Sequence, residues 1–196
     1  MMKQILFILF AFWISSCTND EIPREKAYQR FYFPKKEYKH FTSNCNFSFD
    51  LPTYCYIENK DSLFRERLKA DSCWINVVFP SWNGKLHLSY KYYDNPDLLT
   101  KLLEDSYKLT SKHMVKASYI KDSVIDLPDL KGLVYSVGGN SASEKQFVLT
   151  DYKNQFVRGA LYFNSTPNFD SMQPVLEFVD KDIYHLIETF KFTSKP

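Results

Sequence analysis

Apolar and polar residues alternate in short runs along most of this chain, with the period of half-buried strands. Phe47, Phe49 and Leu51 share one face before Pro52 ends their run. Tyr54-Cys55-Tyr56-Ile57 forms the next, and Ile75, Val77 and Phe79 a third, with Trp74, Asn76 and Val78 on its reverse. Pro80-Ser81-Trp82-Asn83-Gly84 reads as a turn. Leu86, Leu88 and Tyr90 then alternate with Lys85, His87, Ser89 and Lys91, one dry face and one wet face, as in an antiparallel sheet. Further strands are predicted over 120–127, 133–137, 146–150 and 156–163. In the last of these, Val157, Gly159, Leu161 and Phe163 alternate with Arg158, Ala160 and Tyr162.

Two stretches change to the helical period. Asn95-Pro96-Asp97 supplies a capping side chain, a proline for the first turn and an acid near the positive dipole end. The stripe Leu98, Leu99, Leu102, Leu103, Leu109 and Met114 carries this helix to about Val115. A second is predicted from near Pro174, with Leu176, Val179, Ile183, Leu186, Ile187 and Phe190 in line and a short terminal stretch from Phe192. Strands, helix, strands and helix without strict alternation predict an α+β fold, a single antiparallel β-sheet domain packed with two main helices.

Upstream the pattern is different. Ile5 to Ile14 is an unbroken apolar run behind Lys3. Its roughly 15 Å of helix is about half a hydrocarbon core, so it reads as a targeting segment and not a span. Ile14-Ser15-Ser16-Cys17 has the layout of a lipobox: a branched residue, two small ones that let a peptidase approach the backbone, and a cysteine. The Cys17 sulfur would carry diacylglycerol and its amine an acyl chain, and two or three chains hold a protein where one would not. The expected organisation is a lipoprotein signal peptide over 1–16, a lipidated tether and extended arm over 17–40, and one α+β domain over 41–196. Pro23 and Pro34 disfavour helix in the arm.

Composition narrows the function classes. The 196 residues suffice for one domain with a core, and 17% aromatics against five glycines favours well-filled sheets. A net charge of +2 with no long basic block argues against nucleic acid, and nothing calls for a polyanionic substrate. Beyond the inner membrane a disulfide is permitted, and Cys45, Cys55 and Cys73 allow one bridge and one leftover thiol. A Cys45–Cys73 bridge would close a loop of about 29 residues, worth roughly 3–4 kcal/mol. Cys55 reads as a small core residue.

Candidate chemistry is sparse. His40, His87, His113 and His185 are scattered, and no metal-ligand spacing joins them. Gly138 to Glu144 is neither a nucleophile elbow nor a phosphate loop and reads as a hairpin connection. Asp180 and Asp182 read as solvated acids on the polar side of the last helix. The expectation is a protein that is not an enzyme and takes no cofactor. Asn140, Ser141 and Gln146 in and beside the loop, with Arg158 and Tyr162, are the candidate partner contacts, because exposed amides and hydroxyls offer hydrogen bonds.

Longer irregular motifs carry a resemblance. GGNSASEKQFVLTD (138–151), FVRGALYFNSTPNFDS (156–171), PVLEFVDKDIYHLIETFKF (174–192), CWINVVFPSWNGKLHLSYKYY (73–93) and LLEDSYKLTSKHMVKA (102–117) resemble the gliding-motility lipoprotein GldD family of Bacteroidetes. The resemblance implies an outer-membrane lipoprotein, expected on the periplasmic face and required for gliding and type IX secretion. It further implies a non-enzymatic assembly or stabilising factor that contacts other machinery proteins and has no small-molecule substrate. It places Cys45 and Cys73 at the family's paired positions and gives Cys55 no role. The FSFDLP strand, mid-chain helix and final IETFKF also resemble the PsbP/Mog1-like fold, which carries no function with it. The alternative function is an envelope small-ligand or cell-wall binding module, with several of Trp74, Trp82, Tyr92 and Tyr93 gathered in one pocket.

Overall fold

The computed structural model describes residues 30–59, 72–112, 117–139, 141, 143–164 and 169–193. Cys17, the signal segment, His113 and Asn140 lie outside these residues.

Strand alternation and helical stripes give the predicted α+β class, divided between two antiparallel sheets where one was expected. The smaller sheet orders β1 (Tyr38–Thr42), β2 (Phe47–Pro52) and β10 (Lys191–Phe192) as β1-β2-β10. The larger orders β3 (Tyr56–Asn59), β4 (Ser72–Phe79), β5 (Gly84–Tyr92), β9 (Gln155–Phe163), β8 (Lys145–Thr150), β7 (Leu130–Gly139) and β6 (Ala117–Leu127) as β3-β4-β5-β9-β8-β7-β6. Phe47 and Phe49 leave the large sheet because β2 finds its partners in the arm strand β1 and the terminal β10.

Helix α2 (Phe169–Thr189) lies between the sheets. Val175, Val179, Ile183, Leu186 and Ile187 are buried with Phe47, Phe49 and Leu51 of β2 and with Leu86, Leu88, Phe147, Leu149, Val157 and Leu161 of the large sheet. Each such side chain contributes about 1.5–3 kcal/mol when fully buried. Pro174 does not start the helix but sits in its second turn. There its missing N–H forfeits a single intrahelical bond. Helix α1 (Pro96–Ser111) is capped by Asn95, whose side chain accepts from the Leu98 N–H at 2.8 Å. The helix is described as far as Ser111, and Met114 and the expected end near Val115 lie outside the described residues. Its Leu98, Leu99, Leu102 and Leu103 pack on Leu133, Val148 and Phe156, over the other face of the large sheet.

Two glycines are required by geometry. Gly139 has φ 97° at the end of β7. At Gly159 a Cβ would meet the Phe147 ring at 2.2 Å, so the bare backbone lets that ring lie across β9.

The arm is strapped to the body upstream of Phe41. Phe33 stacks on Phe178 with centroids 4.7 Å apart and lies 5.9 Å from Trp82. The Lys36 ammonium lies 2.7 Å from Asp182 Oδ1 and donates to the Phe178 carbonyl at 2.7 Å. Tyr38 and Tyr54 hydroxyls donate to the two Asp182 oxygens at 2.9 and 2.6 Å. Asp182 is therefore not a solvated acid: it is 2% exposed and fully partnered. Burial first, and then the Asp182 carboxylate, pushes both phenols well above the usual tyrosine range. Tyr54 and Cys55 fall in the turn before β3, where Tyr54 reaches Asp182 and Cys55 is buried as a free thiol. Cys45 and Cys73 are joined by a disulfide, Cα atoms 5.6 Å apart, which ties the β1–β2 turn to the start of β4.

Candidate functional site

Antiparallel register sets a polar row across the outer face of the large sheet. Glu58, Asn76, His87, Ala160, Gln146, Tyr135 and Asp122 are successive cross-strand partners from β3 to β6. Directly opposite residues share a face, so their side chains stand side by side. Asn76 Nδ2 donates to Glu58 at 2.8 Å, and Asn76 Oδ1 then accepts from His87 Nδ1 at 2.7 Å. Lys85 pairs with Glu58 at 2.9 Å, and this bond, ahead of the one from Asn76, holds the Glu58 carboxyl below its usual range.

Ala160 interrupts the row with a methyl group. Arg158 and Tyr162 flank it on the same strand and the same face. The Arg158 guanidinium donates to Gln146, which is opposite Ala160, and hydrogen-bonds Tyr162, two residues beyond it. The guanidinium therefore lies over Ala160. Burial lowers its pKa, with Tyr162 opposing the shift. Among the described residues no carboxylate forms an ion pair with Arg158.

Gln146, Arg158 and Tyr162 are thus brought together, but Ser141 is not with them. Gln146 is 1% exposed and supports Arg158 from beneath, its Oε1 also accepting from Thr110 of α1 at 3.2 Å. Ser141 and Ser143 are buried, and their bonds stay in the loop: Ser141 Oγ donates to the Ser143 carbonyl at 3.1 Å and accepts from the Ser143 N–H at 3.2 Å. Around the row, Tyr56 is 51% and Trp74 37% exposed on the same outer face. Glu58, Asn76, Lys85 and His87 join this face although they are not among the contacts expected from the sequence. The wet face of the 85–91 run was the available signal, but it does not say what lies beside it.

The inner side of the same sheet end is different. A cavity of about 200 Å³ lies between β7, β8 and α2, floored by Leu161, Leu176 and Ile183. Lys145 bridges Asp180 at 2.5 Å and Ser136 at 2.8 Å, so Asp180 too is engaged, not merely solvated. Glu144 beside them has its pKa raised to about 7 by burial.

Trp74, Trp82, Tyr92 and Tyr93 do not share a pocket. Trp82 and Tyr93 belong to separate buried clusters, Trp74 is on the outer face, and Tyr92 lines a cleft at the far end of β5. Among the described residues no group of three or more His, Cys, Asp or Glu is placed to hold a metal ion.

The family model described as gliding motility lipoprotein GldD matches residues 18–192. The chain belongs to that family. The match covers every described strand and helix and begins directly after Cys17. No individual curated protein matches the chain. GldD membership makes it a gliding-motility lipoprotein, which fits a lipid-anchored, membrane-associated protein. Among the described residues no helix is long and apolar enough to cross a membrane.

Proposed function

We propose that the chain is a non-enzymatic assembly or stabilising component of the gliding and type IX secretion machinery. It is held at the periplasmic face of the outer membrane by lipid on Cys17, and it contacts another machinery protein through the outer sheet face around Arg158. The observation that carries this reading is the half-buried Arg158 cation, whose partners among the described residues are the neutral Gln146 and Tyr162. A partly desolvated cation is costly without an opposite charge. A partner carboxylate would complete the site with a strong, directional pair, and the exposed Trp74 and Tyr56 supply apolar contact beside it. The inward-turned Ser141 and Ser143 favour a structural loop over a nucleophile.

Crosslinking of the tagged lipoprotein in living cells tests this. The wild type is expected to capture machinery proteins, Arg158→Ala to lose most of that capture, and Arg158→Lys to keep part of it. Capture of no machinery protein by the wild type would overturn the assembly role. An Arg158→Ala profile equal to wild type would move the contact elsewhere.

A further inference from the structure

At the opposite end of β5 the two sheets leave an open cleft of about 830 Å³, within the range of roughly 300–1,000 Å³ that holds small ligands. Its lining is aromatic. Tyr90 and Phe190 are buried at its base, and Tyr92 and Phe192 stand half-buried along it. The Phe190 and Phe192 rings meet edge-on at 5.0 Å, so these surfaces are held by packing within the fold. The β8–β9 turn forms the other side and is pre-organised by one carboxylate. Asp151 Oδ1 accepts from the N–H groups of Lys153, Asn154 and Gln155 at 2.9, 3.0 and 2.9 Å. The Gln155 side chain then joins Asp151 Oδ2 at 3.4 Å to the Tyr90 hydroxyl at 3.2 Å. At the rim Asp129 and Asp151 balance Lys153 and Lys191.

We infer that this cleft binds a neutral oligosaccharide. A pyranose has an apolar face that stacks on an aromatic ring and an edge of hydroxyls that need donors and acceptors, and this cleft offers both side by side. A purely apolar ligand would strip water from the Asn154 side chain and the charged rim without replacing those hydrogen bonds, and an anion would need cations in excess of the acids. The turn and rings are already fixed, so little ordering entropy opposes binding. This surface is separate from the Arg158 face, and binding here neither needs nor implies the assembly contact.

The glycan could come from the cell wall or from a surface polysaccharide, and two probes separate them. A β-1,4-linked N-acetylglucosamine tetramer presents the acetamido groups of a wall glycan, and a plain glucose tetramer lacks them. Full-length lipoprotein in a zwitterionic, sugar-free detergent would be titrated with each, by calorimetry and saturation-transfer NMR. Saturable binding of either is expected, with Tyr92→Ala weakening it about tenfold and Asn154→Ala weakening it measurably. Tyr92→Leu, which keeps apolar bulk without the ring, replaces Tyr92→Ala if that variant unfolds. Failure of both tetramers to bind at millimolar concentration would overturn the inference, as would binding that the Tyr92 and Asn154 variants leave unchanged.

Discussion

Glu144 and Arg158 carry opposite charges into half-buried places, and each lacks a charged partner among the described residues. For Glu144 the consequence is a pH dependence. Its folded pKa of about 7 exceeds the ordinary 4.5, so between those values the folded chain holds a proton that the unfolded chain has released. Stability falls as pH rises through that window, and the penalty is complete above it. Glu144→Gln is expected to match wild type in urea unfolding at pH 4 and to exceed it at pH 8 by on the order of 1–3 kcal/mol. The wet faces bearing Arg158, Tyr162 and His87 were legible as alternation. The bridging of Arg158 over Ala160 was not, because it depends on the register of β8 against β9, a long-range pairing. For Asp182 the helical period itself opposes the solvated reading. Positions 175, 179, 182, 186 and 190 follow the helical period, which puts this acid inside the apolar stripe and not opposite it.

Among the elements, those with strong local patterning stand closest to expectation. Asn95-Pro96-Asp97 starts α1, and the 84–92 alternation forms β5. β1 was missed because Tyr38–Thr42 alternates weakly and becomes a strand only by pairing with β2. β6 and β7 run further than their apolar cores, since hairpin pairing extends the ladder through residues such as Tyr119 and Lys131. The small sheet is held to the rest by α2, by the arm strap and by the Cys45–Cys73 bridge. The bridge spans 28 positions, and its loss is expected to lower stability by about 3 kcal/mol. Chemical unfolding with and without reductant checks this. Reductant should destabilise the wild type to the level of a Cys45→Ser, Cys73→Ser double variant and leave that variant unchanged.

At the scale of the whole molecule, the tether and the domain set what the protein can reach. The fifteen residues between Cys17 and Phe33 extend at most roughly 55 Å. From Phe33 onward the chain is docked against α2, so a lipid on Cys17 would keep the body within that distance of the bilayer. A lipid-held body with one polar face centred on an incompletely neutralised arginine suits a fixed contact in a larger assembly. The measurement that bears most directly on this is secretion of a type IX cargo, scored with colony spreading, in a deletion strain carrying either the wild-type gene or Arg158→Glu. The account predicts that the variant reaches wild-type levels in the membrane fraction yet restores neither secretion nor spreading. A strain that secretes and spreads normally with Arg158→Glu, or with no copy at all, would contradict it.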